Sequence, residues 1–117
     1  MANTEQCIFC RIVAGEIPAE VVRETERTLA FRDVAPQAPV HVLVIPKEHR
    51  DGLDGLVADG TETAGLLLQE CAAVAAQEGV TETGYRVVVN NGAEAGQAVD
   101  HCHLHVLAGR RLTDTLG

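Results

Sequence analysis

Residues 101–107 read His-Cys-His-Leu-His-Val-Leu, with an imidazole at every second position from 101 to 105 and a thiol or aliphatic group between. A repeat of two matches a β-strand, whose successive side chains point to opposite faces; on a helix the same residues would be spread around the axis. The segment therefore predicts a strand, His101 to Leu107, with three imidazoles on one face and Cys102, Leu104 and Val106 turned toward a core. Such a strand needs a sheet, and the rest of the chain supplies candidates. Glu20 to Glu24 and Thr28 to Asp33 are rich in β-branched residues. The prolines of Ala35-Pro36-Gln37-Ala38-Pro39 break the chain, and His41 to Ile45 is a nearly all-apolar strand stopped by Pro46. Tyr85 to Asn90 is a further strand.

Two helices interrupt this pattern. Ile8, Ile12 and Val13, with Gly15 where a helix would stop, predict a short N-terminal helix or turn that puts Cys7 and Cys10 on one face. Asp59 with Glu62 resembles a capping box, and Leu67, Leu68, Cys71, Val74 and Ala75 recur at helical spacing until Gly79, which makes this the one long helix. The expected fold is α+β: a five-stranded antiparallel sheet with a helix packed on it, in one domain spanning residues 1–117.

Charge and composition exclude several functions. Seventeen acidic against nine basic residues give a net charge of −8, the wrong sign for binding nucleic acid, and Phe9, Phe31 and Tyr85 are too few aromatics for a base-stacking surface. There is no 18-residue apolar run, and the start MANTEQ has neither a basic region nor an apolar segment of a leader. The expectation is a soluble cytoplasmic protein that binds neither membrane nor nucleic acid. Of the four cysteines, Cys71 sits in the long helix as a small hydrophobe, so Cys7 and Cys10 are the pair placed for chemistry.

A lone histidine usually means a packed or solvated ring, but three on one strand face weigh against that reading. They fit either of two sites: a catalytic zinc centre with an open position, or a nucleophilic imidazole oriented by its neighbours. The loop from Asn90 to Gln97 contains Gly92 and Gly96, and backbone amides of such a loop can cradle an anion. Beside the histidines it suggests phosphate held next to imidazole. Cys7-x-x-Cys10 reads as a redox pair, as unremarkable thiols, or as half of a closed zinc site completed by His49 and one histidine of the triplet.

The stretches CIFCRIVAGEIPAEVV, LAFRDVAPQAPVHVLVIPKEH, GYRVVVNNG and GQAVDHCHLHVLAGR together resemble the histidine triad family, in particular its nucleotide-binding branch of nucleoside phosphoramidases. The resemblance implies a homodimer whose sheet continues from one subunit to the other, and a purine nucleotide bound by each subunit. It implies hydrolysis of purine nucleoside 5′-phosphoramidates at the N–P bond through a nucleotidyl-histidine intermediate. By the same resemblance His103 is the nucleophile, His105 binds phosphate and handles protons, and His101 orients the pair. Asp33 accepts the ribose hydroxyls. Asn90, Gly96, Gln97 and the backbone near Val99 contact the phosphate and leaving group, with Gln97 counted in the catalytic set, and Phe31 and Val34 wall the base pocket. Family members that carry zinc imply a structural site at Cys7, Cys10, His49 and His101, in which case His101 acts only by anchoring the start of the strand. Two departures bear on substrate choice: Ala98 stands where phosphoramidases usually carry Ser, and the tail RRLTDTLG lacks a Trp-containing ending. Alternatives are hydrolysis of diadenosine polyphosphates or other nucleotidyl conjugates, and a nucleotide-binding or scaffold protein with vestigial activity.

Overall fold

The computed structural model describes residues 5–116. Helix α1 (Ile8–Val13) is followed by strands β1 (Val21–Glu24), β2 (Thr28–Arg32) and β3 (Val40–Pro46), helices α2 (Leu53–Ala58) and α3 (Glu62–Gln77), and strands β4 (Arg86–Val89) and β5 (Leu104–Ala108). The five strands form one antiparallel sheet in the order β1-β2-β3-β5-β4. The expected α+β fold is therefore present. No helix among the described residues is long and apolar enough to cross a membrane.

Strand alternation gives the sheet two different faces. Ala30, Val42, Val44, Leu104 and Val106 face α3 and pack on its Leu67, Cys71 and Val74, with Cys102 in the same cluster. The buried positions of α3 follow the 3.6-residue period: Leu67, Glu70, Cys71, Val74 and Ala75. Glu70 is buried without being unpaired, because Arg23 Nε reaches its carboxylate at 2.6 Å. At the helix end Gly79 turns left-handed (φ +74°), which lets Val80 N–H return to the Ala75 carbonyl. The opposite sheet face carries Leu29, Phe31, Leu43 and Ile45, covered by Cys7 and Phe9 at α1.

Several expected boundaries move, each for a local reason. Strand β5 begins at Leu104, so His101 and His103 lie on the segment leading into it and only His105 is on the strand. The ladder with β3 starts at Val44 opposite Leu104; two positions further along β3 is Pro46, which has no N–H to give, and Cys102 N–H is taken by the Arg50 carbonyl at 2.7 Å. The capping box at Asp59 does not form: Asp59 closes α2, its carboxylate is bound by Arg50, and α3 starts after Thr61. Helix α2 itself was not expected from the sequence, since Leu-Asp-Gly-Leu-Val-Ala is short and contains Gly55.

Candidate active site

Helix α1 brings Cys7 and Cys10 against the histidine that follows β3 and the one that precedes β5. Cys7 Sγ lies 3.4 Å from His101 Nδ1, and Cys10 Sγ lies 3.1 Å from His49 Nδ1 and 3.5 Å from His101 Nδ1. The second nitrogen of each ring donates elsewhere: His101 Nε2 to the Pro46 carbonyl at 2.8 Å, His49 Nε2 to Asp51 Oδ1 at 2.9 Å. Those bonds put the ring protons on Nε2 and leave both Nδ1 lone pairs facing the sulfurs, which is the form a metal ion requires. Ligand–ligand edges of a tetrahedral zinc site with bonds of ~2.0–2.3 Å are about 3.3–3.8 Å, and the observed separations approach that range. The four donors therefore fit a structural zinc ion. Burial, then the hydrogen bond and charge of Cys7, push the Cys10 thiol up to about 11; a divalent cation would instead favour the thiolate.

A second group of rings sits beside this one. His103, buried beneath the edge of Phe9 (centroids 5.2 Å apart), holds its Nδ1 2.7 Å from the carbonyl of His101. A carbonyl only accepts, so the His103 proton is on Nδ1 and its Nε2 carries a free lone pair. The next ring, His105, has its centroid 5.0 Å away. Its protonation follows from a residue to which the sequence reading gave no role, His41 on β3. The backbone N–H of Gln37 donates to His41 Nδ1 at 3.0 Å, so the neutral His41 carries its proton on Nε2, which meets His105 Nδ1 at 2.9 Å. His105 Nδ1 is then an acceptor, and its proton is on Nε2. That Nε2 is buried and has no hydrogen-bond partner among the described residues.

Burial favours the neutral form of three of these rings, His105, His101 and His41. Burial, reinforced by His103 and His41, lowers His105 to about 4. Burial likewise lowers His101 to about 4, against the hydrogen bond to Pro46, and lowers His41 against the charge of Asp33.

The remaining expected residues divide into two groups. Asp33 lies next to His41, Oδ2 to Nε2 3.5 Å, and its Oδ1 accepts the Ala35 N–H at 2.8 Å. Phe31 is buried edge-on to Phe9, and Val99 is packed on the same cluster. Val34, by contrast, is 99% exposed in the single chain and walls no pocket there. Asn90 follows β4 and is half-buried, while Gly96 takes the left-handed conformation at φ +84°. Gln97 has its amide folded inward: Nε2 donates to the Asp51 and Val99 carbonyls, at 2.6 and 3.0 Å, and Oε1 accepts Gly92 N–H at 2.8 Å. A cleft of about 1100 Å³ opens between the start of α1, residues 49–55 and the loop 91–100; Gln97 and Ala98 line it, whereas His103 and His105 do not.

The family model of the HIT domain matches residues 14–112. The chain belongs to the HIT domain family. Within this HIT protein the two thiols lie ahead of the matched span, whereas His49, His101, His103 and His105 fall inside it. It is 50% identical over 108 residues to the 14 kDa zinc-binding protein of Zea mays, covering 90% of this chain and 83% of that one. Purine nucleoside phosphoramidase of Escherichia coli is 39% identical over 108 residues, covering 92% and 91% of the two chains. Among solved structures, the HIT family hydrolase from Legionella pneumophila superposes with a TM-score of 0.92 at 46% identity, covering 96% of this chain and all of the other.

Proposed function

We propose that this HIT protein is a hydrolase that cleaves purine nucleoside 5′-phosphoramidates to the nucleoside monophosphate and an amine. The observation that carries this reading is the pair of opposite tautomers: His103 presents a lone pair on Nε2, and His105, one ring away, presents a proton on Nε2. A nucleophile beside a fixed donor suits attack at phosphorus, where charge gathers on the phosphoryl oxygens. His103 Nε2 forms a bond to phosphorus as the N–P bond breaks, and the amine departs with a proton taken from water. Positive charge then appearing on the His103 ring is supported by the His101 carbonyl at Nδ1. His105 Nε2–H donates to a phosphoryl oxygen. Water next attacks the phosphorus, breaks its bond to His103, and gives up one proton to solvent as the monophosphate forms. Asp33 accepts the ribose hydroxyls, Phe31 flanks the base, Val34, exposed in the single chain, closes over it only once the base is bound, and Asn90, Gly96, Gln97 and Val99 form the phosphate side. The HIT hydrolase and phosphoramidase relatives support this assignment.

Cys7, Cys10, His49 and His101 would hold a structural zinc ion, whose chemistry is to bind thiolate and neutral imidazole and so fix the position of His101. The carbonyl of that residue is what orients His103. All four cysteines are free thiols, consistent with a cytoplasmic setting. Exposed Tyr85 and Val87 at the free sheet edge β4 favour a homodimer whose sheet continues through that edge.

The test is turnover of a fluorogenic adenosine 5′-phosphoramidate, with acid quench and mass spectrometry to trap nucleotidylated enzyme. Wild type is expected to turn over and to carry the label on His103, and His103→Ala to lose several orders of magnitude in rate while binding adenosine monophosphate nearly as well. Near-normal turnover by His103→Ala overturns the proposal.

A further inference from the structure

The three residues His49 to Asp51 run between the Cys/His cluster and the loop 91–97. Asp51 engages both. Its carboxylate, on the solvent side, accepts His49 Nε2–H at 2.9 Å and so aims His49 Nδ1 at Cys10. Its main-chain carbonyl accepts Gln97 Nε2–H at 2.6 Å. Gln97 is the residue around which the loop folds, since its other amide atom holds Gly92 N–H at 2.8 Å. A second attachment lies two residues on, at Leu53. Asn91 Oδ1 accepts Leu53 N–H at 2.7 Å, in place of the side-chain cap that Gly52 does not supply to α2. Gly52 is pressed so closely on Asn91 that a β-carbon there would strike the carboxamide oxygen. The neighbouring Arg50 carbonyl holds Cys102 N–H at 2.7 Å, which fixes this segment against the approach to β5.

We propose that Asp51 is a positioning residue that couples the Cys7–Cys10–His49–His101 cluster to the loop 91–97, so that a divalent metal in the cluster sets the shape of the loop. As a ligand, His49 would be fixed in place; His49 Nε2–H holds the Asp51 carboxylate, and the Asp51 carbonyl holds the Gln97 amide. Only the statement that the loop receives a phosphate rests on the function proposed above. Coupling of this kind is reciprocal: a group bound in the loop tightens metal in the cluster by the factor by which metal tightens that group.

The experiment uses the full chain loaded with cobalt(II), whose thiolate absorption band reports occupancy, and the same protein after chelation. Amide hydrogen exchange is read in residues 91–97, above all at Gly92, with residues 81–84 as an internal control for general loosening. In wild type, chelation raises exchange in the loop about tenfold, a change set equal to the low end of the loss in metal affinity or activity when an outer partner of a metal ligand is removed. In Asp51→Ala the loop exchanges at the raised rate while cobalt is still bound, and chelation adds little. Asp51→Asn, whose amide oxygen still accepts from His49, stays close to wild type. Affinity for adenosine monophosphate falls about tenfold in Asp51→Ala and KM rises by a similar factor, with kcat changed less. Loop exchange in cobalt-loaded Asp51→Ala equal to that of wild type overturns the coupling, whatever nucleotide does. If the loop loosens and adenosine monophosphate affinity does not move, the coupling stands and the loop's role as phosphate site falls.

Discussion

Replacing His41 with Ala tests the tautomer argument where it is most exposed to failure. His41 is 5% exposed and joins Gln37 N–H on one side to His105 Nδ1 on the other. Its removal takes the partner from the Gln37 N–H, on an exposed residue, and from His105 Nδ1, which is partly buried; a polar group left unpaired where water cannot enter costs about 1–3 kcal/mol. The stability loss is set at about that size for one group, because the space vacated by an imidazole admits water to the other. For catalysis, the quantity lost is the fixed placement of the His105 proton on Nε2. A preorganised donor to developing phosphoryl charge is worth about 3–4 kcal/mol when deleted outright; here the donor survives in part of the population, so about 1.5–3 kcal/mol is expected. At 1.36 kcal/mol per factor of ten, kcat should fall about 10- to 150-fold. Steady-state turnover of the adenosine phosphoramidate measures that, and nitrogen-15 shifts of the His105 ring report the tautomer directly. His41→Gln, which still offers an N–H, should recover part of the loss. A rate within twofold of wild type in His41→Ala, or a wild-type spectrum with the His105 proton on Nδ1, would refute the reasoning.

Other outcomes follow from single groups. Asp33→Ala should weaken binding of adenosine monophosphate much more than of its 2′,3′-dideoxy analogue, measured by calorimetry; equal losses would remove the ribose contact. Burial holds His101 and His105 at about 4 and His41 below its ordinary value, so as pH falls from about 6.5 the unfolded chain takes up protons that the folded chain refuses. Stability is thus complete above about pH 7 and declines between about pH 6.5 and 4, and a denaturant midpoint that stays flat from pH 7 to 5 would contradict this. Leu67→Ala, at a fully buried position of α3, should cost about 2–5 kcal/mol with an unchanged denaturant slope. A loss under about 1 kcal/mol would mean that α3 does not depend on its seat against the sheet.

Much of the fold was legible because its signals are local. The helical spacing from Leu67 to Ala75 and the apolar run before Pro46 decide their own secondary structure, and Cys102, Leu104 and Val106 do face the core. What could not be read depends on partners distant in the chain. The start of β5 is set by Pro46 and by the Arg50 carbonyl, neither visible from the alternation of residues 101–107. The Asp59 capping box fails because Arg50 takes the carboxylate first. His41 reaches His105 only because the register places Leu43 opposite the latter, one strand position removed on the same face. A signal was present, since an imidazole opening an otherwise apolar buried strand needs a partner for each nitrogen. Gln97 carries more than its place before the histidines suggested: in the structure its amide also bonds three backbone groups and so shapes the loop.

The reach from Cys7 to His101 covers 94 positions, so the cluster joins segments made far apart in time. Synthesis at ~5–20 residues per second leaves the thiol pair on the growing chain for roughly 5–20 s before its last histidine exists. Through that interval two neighbouring sulfurs are open to oxidants and to soft metal ions that tolerate fewer ligands. The two thiols are therefore in place well before the imidazoles that stand beside them in the fold, and the pair is at its most reactive before the sheet closes over it.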